Sequence, residues 1–375
     1  MIKVIHYLRH LGLGGTEKTC QLFFQNLNPY EFKNYVVYEK SGSHPRLDEF
    51  IKSAKICNGE LIEIDSYGDS KTPSSTELQK IINTINPDIL HVYRSGYIEF
   101  PEKGISSCPN ISVDVKHFVE TNVFGFFDQN PNIDRSLFMS EWLMKYCIKN
   151  NFNFNDFKNY ANRLDYINNP VELPHCSDVL PIKDTWGKDV IILGRVGRPE
   201  NGIYNDVNVR AANILRLQGY DIRFLVVAPP ENMIKDLEFL EIPYYQIPPT
   251  TDPVLLSKAY NTMDIYAHAR ADGETFGVNI AEAMIHKLPV VTHIAVPSHP
   301  QMGVFQSQTT LVDNNINGFV VNNDAYQYAE ALKKLLDKNI RHKMGLNAFE
   351  KALKEYHVTP CIEKLQTIYK SVLNG

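Results

Sequence analysis

The chain has 375 residues, of which 43% are hydrophobic and 22% charged, and its formal net charge is -5. That length exceeds one ordinary core and suits two domains, and the composition excludes a disordered chain. The acidic balance argues against a general nucleic-acid binder, which carries a basic footprint.

In chain order, "MIKVIHYLRH" carries His6 and Arg9 in its apolar run and reads as a first strand, not a secretory leader. "KVIHYL" (3–8), "NYVVYE" (34–39), "PDILHVY" (87–93), "NISVDVKH" (110–117) and "DRSLFMS" (134–140) predict strands. "TEKTCQLFFQNL" (16–27), "STELQKIINTI" (75–85) and "EWLMKYCIK" (141–149) predict helices between and after them. An Asn-rich polar passage (149–163) leads to "DYINNPVEL" (165–173), read as the end of one unit and the start of a connection. The alternation restarts with "KDVIILGRVGRP" (188–199), "DIRFLVVAPP" (221–230), "MDIYAHAR" (263–270), "LPVVTHI" (288–294) and "GFVVNN" (318–323), and "TPCIEKLQTIYKSVL" closes the chain as a helix. Alternating β and α predicts α/β architecture with parallel sheets covered on both faces. The expected domains are 1–170, 171–355 and a closing helix at 356–375. Ligands of such sheets bind beyond the carboxyl ends of the strands, and with two units the cleft between them is the expected site.

The six cysteines, at 20, 57, 108, 147, 176 and 361, form no C-x-x-C and read as free thiols in a reducing compartment. No stretch reaches the roughly 18 consecutive apolar residues of a membrane helix. The expected location is cytoplasmic and soluble, with room for peripheral membrane contact.

Four stretches carry candidate chemistry. "LGLGGTEK" (11–18) follows the first strand; Gly12, Gly14 and Gly15 permit positive φ and close approach to an anion at a helix start, or make a plain flexible turn. The G-x-G-x-x-G fingerprint fails at Glu17. In "GRVGRPEN" (194–201), Arg195 and Arg198 lie past a strand end, as a diphosphate clamp or as two solvated loop arginines. "DGETFGVNIAEAM" (272–284) separates Glu274 and Glu282 by seven residues. A helix starting near Gly277 puts Glu282 in its second turn, roughly 7.5 Å along at 1.5 Å per residue. The N–H groups of Thr275, Phe276 and Gly277 could then take a phosphate, Glu282 both hydroxyls of a ribose, and Glu274 whatever the phosphate carries. The alternative, a solvated Glu282, fits poorly with its small apolar neighbours. Finally, "VDVKHF" (113–118) is read as a strand ending at His117, placed to hydrogen-bond a sugar or act as a general base, although most lone histidines do neither. There is no D-x-D pair, P-loop, G-x-S-x-G or zinc spacing.

These stretches resemble the GT-B fold retaining glycosyltransferases of family four (group 1). "GETFGVNIAEAM" resembles that family's E-x7-E motif, "GLGGTEK" its first loop, "FMSEWL" its late first-domain segment, "INNPVEL" its interdomain stretch, "GRVGRP" its donor-phosphate loop and "INGFVV" its late strand. The resemblance runs from residue 1 to about 325. It implies two Rossmann-like domains facing a central cleft, with a C-terminal helix crossing back to the N-terminal domain. The first domain would take the acceptor and the second the donor. A sugar would pass from a nucleoside-diphosphate sugar to a glycan, lipid-linked or other hydroxyl acceptor with retention and without a metal, in glycan biosynthesis. By the same resemblance Glu282 would hold the ribose, Glu274 would face the sugar, and Thr275, Phe276 and Gly277 would offer backbone groups. Arg195 would neutralise the leaving diphosphate, His117 would contact the sugar, and Gly14 and Gly15 would line the cleft. The lysine usual five or six residues after the arginine is replaced by Glu200 and Asn201, leaving Arg198 as that loop's second cation. "SYGDSKTPSS" (66–75) and "FVETNVFGFFDQNPN" (118–132) are the candidate acceptor loops, the second equally readable as a loop packing its own phenylalanines. The rivals are a sugar-nucleotide epimerase, a dinucleotide oxidoreductase using Glu39, and a non-catalytic binding protein.

Overall fold

The computed structural model describes residues 1–40, 42–65, 75–94, 113–128, 130–152, 154–187, 189–297 and 304–375. It divides into two compact units, one of Met1–Pro170 with Val358–Gly375 and one of Val171–His357.

The first unit runs β1 (Ile2–Leu8), α1 (Gly15–Asn26), β2 (Phe32–Glu39), α2 (Leu47–Cys57), β3 (Glu60–Ile64), α3 (Ser75–Ile85), β4 (Ile89–Arg94), β5 (His117–Asn122), β6 (Arg135–Phe138), α4 (Glu141–Asn151), α5 (Phe154–Tyr160) and β7 (Leu164–Tyr166). Its sheet is parallel throughout, in the order β3-β2-β1-β4-β5-β6-β7. Strands β1 and β4 are buried almost end to end, as strands covered on both faces must be. The sequence treated 149–163 as one polar passage, but α5 occupies part of it.

One strand is shifted. The run 110–117 was expected to be a strand ending at His117; residues 110–112 lie outside the described residues, 113–116 are not a strand, and His117 opens β5. His117 pairs with Ile89 at the start of β4, while Asn122 pairs with Arg94 at its end. His117 therefore stands at the amino edge of the sheet, opposite the edge where ligands bind. The strand itself carries Glu120, Thr121 and Asn122, all buried. Burial of the carboxylate is compensated: Arg94 Nε donates to Glu120 Oε2 at 2.6 Å and Arg94 Nη2 to Asp128 Oδ2 at 2.6 Å. Arg163 joins this cluster through the carbonyl oxygens of Asp128 and Asn130.

The second unit runs α6 (Ile182–Trp186), β8 (Ile191–Val196), a 3-10 turn (Asn201–Ile203), α7 (Val207–Leu217), β9 (Ile222–Val227), α8 (Glu231–Phe239), β10 (Tyr244–Ile247), α9 (Pro253–Thr262), β11 (Ile265–Ala267), α10 (Val278–Ile285), β12 (Val290–His293), α11 (Gln308–Leu311), β13 (Gly318–Val321), α12 (Ala325–Lys334) and α13 (Lys338–Glu355). Its parallel sheet has the order β10-β9-β8-β11-β12-β13, so the winding reverses between β8 and β11. A crevice at the carboxyl ends of those two strands is the expected ligand position of a doubly wound sheet. Helix starts are marked by their side chains: Asp252 accepts from Val254 and Leu255 N ahead of Pro253, and Asp324 and Asp337 cap α12 and α13 in the same way.

The closing helix, α14 (Val358–Asn374), belongs to the first unit. Cys361, Ile362, Leu365, Ile368, Tyr369 and Val372 repeat at helical spacing and enter the core formed by Val4, Phe23, Phe32 and Val36. Tyr369 also reaches the sheet by a polar contact, its hydroxyl lying 2.6 Å from His91 Nδ1, while His91 Nε2 meets Thr121 Oγ1 at 2.7 Å. Among the described residues no helix is long and apolar enough to cross a membrane.

Candidate active site

In the second unit, the segments following β8 and β11 bring the sequence-predicted residues together. Arg195, near the end of β8, is 5% exposed, and its Nη1 is buried without a hydrogen-bond partner. Burial pulls its pKa down, while Tyr266, Tyr204 and Glu274 act to hold its charge. A buried guanidinium nitrogen lacking an acceptor is costly unless an anion completes it. The backbone at Gly197 folds over this group: a Cβ there would stand 3.0 Å from both Nη1 and Nη2.

The loop after β11 supplies the carboxylate. Burial alone would push the Glu274 carboxyl up, but the Arg270 guanidinium and His268 outweigh it and hold it at about 2. His268 Nε2 lies 3.2 Å from Glu274 Oε1, and His268 Nδ1 lies 2.8 Å from Thr292 Oγ1. Arg270 is fixed by Asp272 through Nε at 2.6 Å and Nη2 at 3.0 Å, and its Nη1 stands 3.8 Å from Glu274 Oε2. Arg198 adds its positive field to Glu274. It is itself about half exposed and paired with Glu200 at 3.0 Å.

Helix α10 begins at Val278 behind Gly277, whose φ of 105° and ψ of 59° lie in the left-handed region that glycine tolerates. No side chain caps this helix start. The preceding loop is tied down from behind, with Gln308 Oε1 accepting from Glu274 N at 3.0 Å and Ser307 Oγ donating to Thr275 O at 2.8 Å. Phe276 turns its ring inward, edge-on to Tyr356 at 5.5 Å, so only its backbone faces the helix start. Asn279 Nδ2 donates to Val196 O at 2.8 Å and so links α10 to the end of β8. Glu282 sits in the second turn, 8% exposed, and accepts from the Tyr260 hydroxyl at 2.8 Å. A cavity of about 490 Å3, bounded by Tyr204, Asp206, Lys235, Asp236 and Asn323 among others, has none of Arg195, Glu274 and Glu282 in its lining.

The remaining candidates lie in the first unit. Gly14 and Gly15 do begin α1, but neither they nor Gly12 has positive φ. A Cβ at Gly14 would stand 2.4 Å from Glu17 Oε2, the mobile end of a side chain that itself lies 3.3 Å from His10, and no side chain caps the helix start. His117 lies 3.6 Å from Asp134 Oδ2, beyond hydrogen-bond reach. Glu39, the acidic residue of the oxidoreductase alternative, accepts from Tyr7 at 2.5 Å. In the loop 123–134, Phe127 packs inward on Phe152 and Tyr160 while Phe124 is 40% exposed. The other expected acceptor loop lies, except for Ser75, outside the described residues, as does Cys108. Among the described residues no group of three or more His, Cys, Asp or Glu is placed to hold a metal ion.

Sequence reasoning gave no role to Tyr260 and saw in Asp272 only part of a turn with Gly273. Only the ends of "MDIYAHAR" hinted at His268 and Arg270, two polar residues closing an apolar run.

Two doubly wound parallel-sheet units, the second with an arginine and a glutamate at its switch point, define the GT-B glycosyltransferase fold. Residues 187–338 match the family model described as Glycosyl transferases group 1. The chain is similar in structure to a glycosyltransferase of Rickettsia africae, with TM-score 0.72, 16% identity, and 99% and 98% of the two chains covered. It is similar to HepE of Anabaena solved with UDP and glucose, with TM-score 0.71, 14% identity, and 99% and 100% covered. The pneumococcal O-GlcNAc transferase GtfA, solved with UDP and GlcNAc, gives TM-score 0.67 at 10% identity, with 100% and 99% covered. No curated protein matches the chain by sequence.

Proposed function

We propose that the protein is a retaining glycosyltransferase that moves a sugar from a nucleoside-diphosphate sugar to a hydroxyl acceptor without a metal ion. The observation that carries this reading is the buried, unpartnered Arg195 Nη1 beside Glu274. A diphosphate completes that nitrogen, and the N–H groups at the start of α10 take the same anion. Glu282 holds the ribose. Glu274, ionised at any pH of interest, accepts from hydroxyls of the transferred sugar. HepE, solved with UDP-glucose, and GtfA, solved with UDP, support uridine as the base. A glycan acceptor finds support in the TarM complex with alpha-GlcNAc-glycerol. The first unit takes the acceptor.

In the reaction, the bond between the anomeric carbon and the leaving phosphate oxygen breaks, with the electron pair going to that oxygen. The acceptor oxygen bonds to the anomeric carbon on the same face, and its proton passes to the leaving phosphate. No side chain serves as nucleophile. Arg195 and the helix start stabilise the charge that grows on the phosphate, without needing to reorganise when it appears. Turnover of UDP-sugars on a glycan acceptor in EDTA, with the product anomer read by NMR, tests the proposal. Retained configuration and unchanged rate are expected; inversion, or loss of activity in EDTA, contradicts it.

A further inference from the structure

Tyr260 ends up beside Glu282 for reasons set by its own helix. Asp252 and Pro253 fix the start of α9, and Tyr260 falls in its last turn, fully buried at 1% exposure. Its hydroxyl donates to Glu282 Oε2 at 2.8 Å. Its ring stacks on His286 at 4.8 Å and 29°, and meets Tyr266 at 6.1 Å. His286 Nδ1 in turn lies 2.7 Å from the backbone oxygen of Glu282, so two residues grip the same glutamate, one by its carboxylate and one by its backbone. Burial and the neighbouring carboxylate both push the Tyr260 pKa well up, which keeps the phenol protonated and donating.

A glutamate turns about three side-chain bonds, and a carboxylate must hold one plane to meet two vicinal hydroxyls. From the proposed placement of the donor ribose on Glu282, we infer that Tyr260 is a positioning residue: it sets the Glu282 carboxylate for the ribose and thereby the preference for ribonucleotides. It touches no substrate and acts through Glu282, its hydroxyl's other approach being a long 3.5 Å one to Asn279 O. The inference rests on the donor-site reading above.

The test is calorimetric binding of UDP, GDP and ADP, each against its 2′-deoxy form, to the wild type and to Tyr260→Phe, with melting of the unliganded proteins as the check on folding. The wild type is expected to favour one ribonucleotide over its deoxy form by about ten- to hundredfold, the worth of a hydrogen bond to a charged group. Tyr260→Phe keeps the ring and loses that ratio to within about threefold. A merely steric role for the ring predicts instead that Tyr260→Phe, which keeps the ring, discriminates as the wild type does. Should the Phe variant not fold, a folded Tyr260→Leu, which also lacks the hydroxyl, is read instead: loss of the ratio is expected, and full discrimination overturns the inference. Full discrimination in Tyr260→Phe overturns it while leaving the donor site intact. Binding by the wild type without discrimination removes the ribose from Glu282 and this inference with it, and no nucleotide binding at all overturns the donor-site reading as well.

Discussion

Gly197 covers the guanidinium of Arg195, and a Cβ at 197 would stand 3.0 Å from both of its terminal nitrogens. The close turn leaves the charged group buried with Nη1 unpartnered, an arrangement that is costly empty and useful full. Arg195→Ala is expected to lower kcat by about 10²–10³-fold, the typical loss of one preorganised donor. Its melting temperature should not fall, because a buried, partly unsatisfied charge is removed. Near-normal turnover by a folded Arg195→Ala contradicts the phosphate role.

Glu282→Gln keeps the size of the side chain and removes the charge. Donor KM is expected to rise by about tenfold or more, from the weaker hydrogen bonds to ribose, with a smaller change in kcat. Steady-state kinetics with varied donor check this; an unchanged KM contradicts the ribose assignment.

The Arg94 cluster lies in the core of the first unit and is expected to affect stability. Burial opposes the Arg94 charge, and Glu120 and Asp128 more than restore it, so its pKa is raised. Arg94→Ala strands the fully buried Glu120 without its nearest cation, and breaking a buried pair from one side typically costs about 3–5 kcal/mol. The urea midpoint of the first unit should fall accordingly, whereas Lys145→Ala, which removes an exposed pair with Glu141, should leave it almost unchanged.

Acid should loosen the same unit before its carboxylates titrate. His6 is held down to about 3 and His91 well below 6.5, chiefly by burial. Both folded values lie below the unfolded one, so their contribution is complete above pH 6.5 and is lost as pH falls below it, by about 1.4 kcal/mol per pH unit for each. Melting temperature should therefore decline from pH 6.5 to 5, and His91→Gln should flatten that decline. Equal slopes in the two proteins contradict it.

Much of this was readable from residue order. The apolar runs of β1, β2, β4, β8 and β9 announced parallel strands, and Gly277 with the glutamate spacing located α10 and its second turn. What escaped has a common cause. β5 was misplaced because "VDV" alternates like a strand, whereas the true strand buries Glu120, Thr121 and Asn122 against partners as distant in sequence as Arg94. Hydropathy cannot see a buried carboxylate whose arginine comes from another strand. The same holds at the candidate site: the grip of Tyr260 on Glu282 spans 22 residues, and no local pattern records it. Gly12, Gly14 and Gly15 show another limit, since the sequence shows a glycine but not its φ, and none of the three takes a positive one.

The most direct measurement of the central claim is a thermal-shift panel of UDP, GDP, ADP and NAD on the wild type and Glu282→Ala. A ligand at 100 times its Kd stabilises a protein by about 2.7 kcal/mol, a readily measured shift in Tm. The account predicts that one nucleoside diphosphate, UDP first among them, raises the Tm of the wild type and fails to do so in Glu282→Ala. A shift with NAD alone, with none of the four, or one that survives in Glu282→Ala would contradict it.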